Sequence, residues 1–212
     1  MNSTVIFIER SAPATITDFY DVLANDLISV KEKWSFEFKT FRFTVKKLPP
    51  DSPRLMHSIS FSHHGNKTVT IKNKAAIVTS TNPGDIPASQ ILNGCSSRSS
   101  EPFDHLLTSK LSNLWTQRQS IKGDFGSTYQ TAELIIRATN VFSYGGFKGL
   151  LIELECEENV QDTDFQQRVE KIRKYLKEIG IEDYKICGES MDPLLKNYAC
   201  DLAFQYVKVL EF

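Results

Sequence analysis

Residues 55–80, LMHSISFSHHGNKTVTIKNKAAIVTS, decide the fold class of this chain. They contain three short runs of β-branched and apolar residues, at 55–63, 67–72 and 75–80, and such runs are typical of strands. The connections HHGN and KNK are short and offer Gly or Asn for positive φ, as tight hairpins require. Strands joined by hairpins pair antiparallel, so this sheet cannot be the parallel type of a nucleotide-binding fold.

The segment before this meander, WSFEFKTFRFTV at residues 34–45, is the strongest strand signal in the chain. Its first apolar set, on one face of a regular strand, consists of Trp34, Phe36 and Phe38. After Thr40 the phase changes, and the second set consists of Phe41, Phe43 and Val45. This change indicates a β-bulge or a strand that crosses from one environment to another. We expect one of the two sets to be covered by a helix of this chain or by another protein.

The rest of the chain adds further strands and helices. Strands are predicted at 4–9, on both sides of a turn at 126–130 with the second at 133–141, at 147–157 and at 184–187. Apolar residues at spacings of three and four predict helices from Thr15 through Val30, from Phe103 through Trp115, over 165–179 and over 198–210. Residues 81–100 are predicted to form a loop. We therefore predict an α+β fold, a closed and mostly antiparallel β-barrel of about eight strands with packed helices, in a single domain over residues 1–212.

The composition excludes several classes of protein. The 212 residues carry 25 basic and 26 acidic side chains, a balance that argues against a dedicated DNA- or RNA-binding domain. The four cysteines form no C-x-x-C pair, which favours reduced thiols in a cytosolic or nuclear protein. The N-terminal apolar run is four residues long and lacks a basic region before it, so we expect neither a signal peptide nor a membrane span.

Most motifs that could carry chemistry are isolated. The tripeptide DFG at 124–126 copies the metal-holding motif of protein kinases, but the other kinase motifs are missing. His57, His63 and His64 have no carboxylate or thiolate beside them at ligand spacing, which favours ordinary sheet and turn histidines over a zinc site. We therefore predict no catalytic residue, no cofactor and no metal site.

One acidic pattern supports an alternative function. In LLIELECEE, Glu153, Glu155 and Glu157 alternate with apolar residues and would line one face of a strand. Inside a barrel, these carboxylates could hold a divalent metal for phosphoryl chemistry, as in tunnel-type phosphohydrolases. Such an enzyme also needs a second acidic strand and inward basic residues. We therefore expect the three carboxylates to face solvent or a partner, with Ile152 and Leu154 packed inside.

A second alternative is a barrel that binds a small apolar ligand. The many Phe and Trp side chains instead predict that the barrel interior is filled.

Five blocks of the sequence, in order, resemble subunit twenty of the Mediator complex as it occurs in yeasts. They are VIFIERSAPATITDF, HSISFSHHGNKTVTIKNKAAIVTS, TSKLSNLWTQRQSIKGD, GFKGLLIELE and CDLAFQYVKVLEF, and together they extend over nearly the whole chain. The resemblance implies a nuclear β-barrel subunit of the Mediator head module without catalytic activity. It implies a heterodimer with the eighteenth subunit, attachment through it to the eighth, and a contribution to recruiting TATA-binding protein and the RNA polymerase II machinery.

A stable partner implies an interface with a few large anchors at its centre, typically aromatic residues or Arg. The sequence offers such anchors where the phase of the aromatic strand changes. The predicted partner-binding residues are Trp34, Phe36, Phe41 and Phe43.

Overall fold

The computed structural model describes residues 2–45, 49, 52–63, 65–80, 101–156, 161–194 and 197–211. Its strands are β1 (Asn2–Ile8), β2 (Leu27–Phe43), β3 (Leu55–Phe61), β4 (Lys67–Lys72), β5 (Ala75–Ser80), β6 (Trp115–Thr131), β7 (Ile135–Ser143), β8 (Gly146–Cys156) and β9 (Lys185–Cys187). Its α-helices are α1 (Thr15–Leu23), α2 (Phe103–Thr108), α3 (Asp162–Glu178) and α4 (Tyr198–Leu210). Within the described residues, no helix is both long and apolar enough to cross a membrane. The loop predicted at 81–100 lies outside the described residues.

The described strands form one nine-stranded sheet in the order β5-β4-β3-β2-β6-β7-β8-β1-β9. Their pairings are antiparallel throughout. The meander predicted from residues 55–80 is confirmed as β3, β4 and β5 at one end of the sheet. At the other end, the N-terminal strand β1 lies between β8 and β9, so the two ends of the sheet come from distant parts of the sequence.

The C-terminal helix α4 shows that the sheet is curled. A flat sheet of nine strands would be about 38 Å wide, several times the width of a helix. Yet α4 contacts β3, β4 and β5 near one end of the strand order and β1 and β9 at the other. The sheet therefore curves around α4 as a half-barrel, and the predicted α+β fold with a mostly antiparallel barrel-type sheet and packed helices is confirmed. The predicted closure is not found among the described strands, because β5 and β9 remain the two ends of an open sheet of nine strands.

The remaining helices cover parts of the convex face, which is the face turned away from α4. The first apolar cluster surrounds α4 inside the half-barrel. Helices α1 and α3 pack over β1, β7 and β8 through a second apolar cluster that includes Phe19, Phe165 and Ile152. Near α2, a third cluster contains Phe41, Met56, Leu107 and Trp115. Strands β1 and β8 are consequently covered on both faces.

Two predicted helices are shorter than the apolar spacing indicated. Helix α1 ends at Leu23, and a short 3-10 turn separates it from Leu27 and Val30, which belong to β2 and pair with β6. Helix α2 ends at Thr108, and Trp115 begins β6. The turn predicted at 126–130 lies inside β6, which continues to Thr131, and residues 132–134 connect it to β7. The pairing of β6 with β7 is irregular between Gly123 and Ser127. Long-range pairing between β2 and β6 overrides the local helical spacing in these segments.

Candidate functional site

The acidic strand lies differently from our prediction. Ile152 and Leu154 are buried, as expected, but Glu153 and Glu155 are also buried, at 0% and 1% exposure, and do not face solvent. Glu157 lies outside the described residues. The prediction was wrong for Glu153 and Glu155 because β8 is covered twice: its apolar side chains face α1 and α3, and its carboxylates face the interior that α4 fills.

Glu153 is the centre of a buried charge cluster that joins four elements. Arg137 on β7, directly opposite Glu153, places Nη1 2.7 Å from Glu153 Oε1. The same Nη1 donates to Glu155 Oε2. From α4, the Tyr206 hydroxyl donates to Glu153 Oε2 at 2.6 Å, and His63 Nε2, just after β3, lies 3.0 Å from Glu153 Oε1. The cluster therefore ties the concave face of the sheet to the helix inside it.

The electrostatics of this cluster favour the ionised carboxylate. Burial alone would raise the pKa of Glu153, but His63, Arg137 and the Tyr206 hydroxyl together hold that pKa well below its usual range. Burial lowers the pKa of Arg137, and the two carboxylates more than reverse this, so its pKa lies above the usual value. Burial and the charge of Glu153 raise the pKa of Tyr206 well above its ordinary value. These three pKa directions favour an ionised Glu153, a charged Arg137 and a neutral Tyr206 at neutral pH, so the buried carboxylate is compensated by its partners.

The histidines contact different partners. His57 Nδ1 lies 3.2 Å from Thr40 Oγ1, its ring stacks on Phe38, and burial lowers its pKa. His63 packs edge-on against Trp34 and reaches Glu153. His64 lies outside the described residues. Within the described part of the chain, no group of three or more His, Cys, Asp or Glu side chains is arranged to hold a metal ion.

The predicted partner-binding aromatics separate onto two faces of β2. Trp34 and Phe36 lie in the core around α4, each 3% exposed, whereas Phe41 is fully buried in the cluster near α2. The pairing of β2 with β6 changes register between Thr40 and Phe41, but the extra residue is Arg118 of β6, and β2 pairs with β3 without a break. Of the two interpretations of the phase change, the structure agrees with the passage from one environment to another. Phe43 is only partly buried, and its ring is tilted by 60° against that of Trp115 with the centroids 5.0 Å apart. The first set and Phe41 are therefore covered by helices of this chain, whereas Phe43 is partly buried and Val45 is 38% exposed.

An exposed aromatic surface escaped the sequence analysis. Phe142 on β7 lies opposite Lys122 of β6 and Phe147 of β8, on the convex face, with the two phenyl centroids 5.7 Å apart. Phe142 is 45% exposed, and Tyr144 in the following turn is 84% exposed. We call Phe142, Tyr144 and Phe147 the convex aromatic patch. A single sequence cannot distinguish these rings from core rings, because both occur on strands with the same alternation.

Comparisons with known proteins agree on one family. Residues 1–211 match the family model described as the TATA-binding related factor of subunit 20 of the Mediator complex. The chain is 54% identical to "Mediator of RNA polymerase II transcription subunit 20" from Eremothecium gossypii, over 99% of each chain. It is 46% identical to the protein of the same name from Saccharomyces cerevisiae, over 99% of this chain and 98% of that one.

Solved structures show weaker likenesses. A chain of the Schizosaccharomyces pombe Mediator head module aligns with a TM-score of 0.45 at 8% identity, over 86% of this chain and 98% of that chain. A putative adenylyl cyclase from Hippeastrum, described as having a dominant triphosphatase activity, aligns with a TM-score of 0.43 at 14% identity, over 90% and 92%. Both TM-scores are below 0.5, so neither likeness carries an argument about function.

Proposed function

This chain belongs to the family of subunit 20 of the Mediator complex, and on that premise we propose that it is a non-catalytic coactivator subunit for RNA polymerase II transcription. Its work is to bind other proteins in the nucleus, as a component of the Mediator head module. The eighteenth subunit is its direct partner, and the eighth is attached through it. The assembled pair contributes to recruiting TATA-binding protein and the polymerase machinery.

The observation that carries the protein-binding role is the convex aromatic patch. Phe142 and Tyr144 expose 45% and 84% of their surface on a sheet that covers most of its other large apolar side chains with its own helices. Aromatic residues are enriched at the centres of protein interfaces because their large rings lose much water-exposed area on binding. The patch therefore supports a protein-binding face between the parts of the convex surface that α1 and α2 cover.

The aromatic residues of β2 remain part of the proposal in a narrower form. Phe43 is the member of the predicted set that keeps some surface for a partner. Trp34, Phe36 and Phe41 are packed inside the chain, so their substitution would weaken partner binding through loss of the folded state.

Co-purification with the tagged eighteenth subunit tests the proposal. The double variant Phe142→Ser/Tyr144→Ser is expected to remain folded, because both rings are exposed, and to reduce the recovered heterodimer by about tenfold or more, the loss typical of an interface anchor. The matched control is Leu194→Ser, which removes an apolar side chain that is 92% exposed elsewhere. Wild-type recovery of the folded double variant would place the interface on another surface. Failure of the wild-type chain to co-purify would overturn the pairing itself.

The phosphohydrolase remains the second candidate because one observation favours it. Glu153 and Glu155 point into the curled sheet beside Arg137, as an enzyme of that type would require. Two further observations favour the non-catalytic role: α4 occupies the interior, and the Tyr206 hydroxyl already occupies Glu153 Oε2.

A triphosphatase assay with Mg²⁺ or Mn²⁺ separates the two candidates. We expect the purified wild-type chain to release no more phosphate than its Glu153→Gln and Glu155→Gln variants. Metal-dependent release by the wild type that both folded variants lose would establish the enzyme in place of the non-catalytic subunit.

A further inference from the structure

A cleft at one end of the half-barrel presents several hydrogen-bond donors. It has a volume of about 430 Å³, and three basic side chains contribute to its walls. It is lined by Lys31, Glu32, Lys33, Trp34, Ser62, His63, Thr128 and Arg137. The rings of Trp34 and His63 meet edge to face in its wall, with centroids 5.3 Å apart. The cleft therefore combines a wall of packed aromatic rings with a row of polar and charged groups.

The strand register places three of these donors in a row. Lys31 of β2 lies directly opposite Thr128 of β6, and Thr128 lies directly opposite Arg137 of β7. Directly opposed residues project from the same face of a sheet, and neighbouring strands are about 4.8 Å apart. Lys31 and Arg137 therefore flank the Thr128 hydroxyl with backbones about 10 Å apart, a separation that their long side chains can close around a small group.

Arg137 is held so that part of its guanidinium remains available. Both carboxylates of the buried cluster accept from the same nitrogen, Nη1, and among the described residues Nε and Nη2 make no hydrogen bond. The side chain is 9% exposed, and its contacts with Glu153 and Glu155 fix its orientation. A guanidinium has five N–H donors and binds oxyanions through two of them at once. The remaining donors of Arg137 thus form a preorganised edge at the cleft.

The charges around this edge decide which ligand fits. Glu153 and Glu155 offset the charge of Arg137 from behind, and Glu32 adds a carboxylate to the lining. Lys31 and Lys33 contribute two ammonium groups, of which Lys33 Nζ also donates to Ser127 Oγ at 2.7 Å. Among the charged groups that line the cleft, Lys31, Lys33 and Arg137 outnumber Glu32, which favours an anion with several acceptor oxygens.

We propose that this cleft is an oxyanion-binding site for a phosphoryl group. The Arg137 edge, the Lys31 ammonium and the Thr128 hydroxyl offer donors to three different oxygens, which matches the three terminal oxygens of a phosphoryl group. The cleft is larger than a phosphate alone, so it also accommodates the residue or small molecule that carries the group. The site does not involve the convex aromatic patch and does not depend on the partner proposed above.

Titration of the full chain with pyrophosphate and with a phosphoserine peptide, followed by ¹H–¹⁵N NMR, tests the proposal. Shifts are expected at the amides of Lys31, Thr128 and Arg137, and they should weaken as salt screens the charges. Lys31→Met is expected to weaken binding by about tenfold, the equivalent of one charge-assisted hydrogen bond. Glu32→Gln is expected to strengthen it, because a carboxylate leaves the lining. The control Lys110→Met removes an exposed lysine from a different surface.

The possible results distinguish two sources of the phosphoryl group, and other results would overturn the proposal. Binding of pyrophosphate alone supports a small-molecule ligand, whereas tighter binding of the phosphoserine peptide than of its unphosphorylated form supports a modified protein. Binding of neither probe overturns the proposal. It is equally overturned if Lys31→Met and Lys110→Met change the affinity by the same factor, because binding would then follow net charge instead of this cleft. Both variants alter exposed side chains, so the test does not depend on a substitution of the buried Arg137.

Discussion

The contact between Tyr206 and Glu153 offers a direct test of how the C-terminal helix is held inside the half-barrel. Tyr206→Phe removes only the hydroxyl that donates to Glu153 Oε2 at 2.6 Å. The ring itself stays between Phe36 and Phe61, whose centroids lie 5.0 Å and 5.2 Å from it. The variant therefore separates one hydrogen bond from the apolar packing of α4.

The expected magnitude follows from the surroundings of the carboxylate. Glu153 is 0% exposed, so water cannot replace the lost donor. A hydrogen bond to a charged group contributes about 1.5–3 kcal/mol to stability. Glu153 keeps Arg137 and His63 as partners and stays ionised, which argues for the middle of that range. We expect the free energy of unfolding to fall by about 2 kcal/mol and Tm by about 4–8 °C for a chain of this size.

Urea and thermal denaturation, followed by circular dichroism, measure this change. In the background of Glu153→Gln, the same substitution of Tyr206 is expected to cost about 1 kcal/mol, since a neutral acceptor makes a hydrogen bond of roughly half the strength. Tyr144→Phe is the matched control, because its hydroxyl meets Gln117 Nε2 at 3.3 Å on a side chain that is 84% exposed. It is expected to change stability by less than about 0.5 kcal/mol.

Two results would refute this reasoning. If Tyr206→Phe is no more destabilising than Tyr144→Phe, the hydroxyl does not help to hold α4. If it costs the same in the wild-type and Glu153→Gln backgrounds, the effect comes from packing and not from the buried carboxylate.

The remaining predictions concern pH, a glycine and the two aromatic environments of β2. The pKa of Glu153 is lower in the folded state than in the unfolded state. Its contribution to stability is therefore fully present above the unfolded value of about 4.3 and is lost as pH falls from there through the folded pKa. Denaturation at a series of pH values should show that the free energy of unfolding falls less steeply with acid in Glu153→Gln than in the wild type. Gly149 has φ +155°, and a Cβ there would lie 2.3 Å from the carbonyl oxygen of Ile8. Gly149→Ala should therefore lower the free energy of unfolding by about 2 kcal/mol or more. An unchanged denaturation midpoint would contradict this close approach. Phe41→Ser removes a fully buried ring and should lower the free energy of unfolding by about 3–5 kcal/mol. Phe43→Ser removes a partly buried ring and should leave the circular dichroism spectrum unchanged. Equal stability of the two variants would contradict the burial assigned to Phe41.

The meander and the aromatic strand were predictable because their signals are local. Residues 55–80 specify hairpins through alternation and short turns, and neither needs information from the rest of the chain. The change of phase at Thr40 marked the passage of β2 from the core around α4 to the cluster near α2. The helix boundaries near Leu27 and Trp115 were not predictable in this way, because the partner strand that extends these segments is distant in sequence.

The sequence by itself determined the antiparallel sheet, the amphipathic helices and, through its five long blocks, the family. Only the tertiary structure decided which face of each strand is inside. An alternation of Glu with apolar residues is the same whether the polar side meets water or a helix, and the choice depends on α4, which begins more than forty residues after Glu153. Strand pairing places Arg137 beside these carboxylates, and curling of the sheet brings His63 and Tyr206 to Glu153. These contacts make the burial possible, because a buried charge is tolerated only where partners from other elements compensate for the lost water.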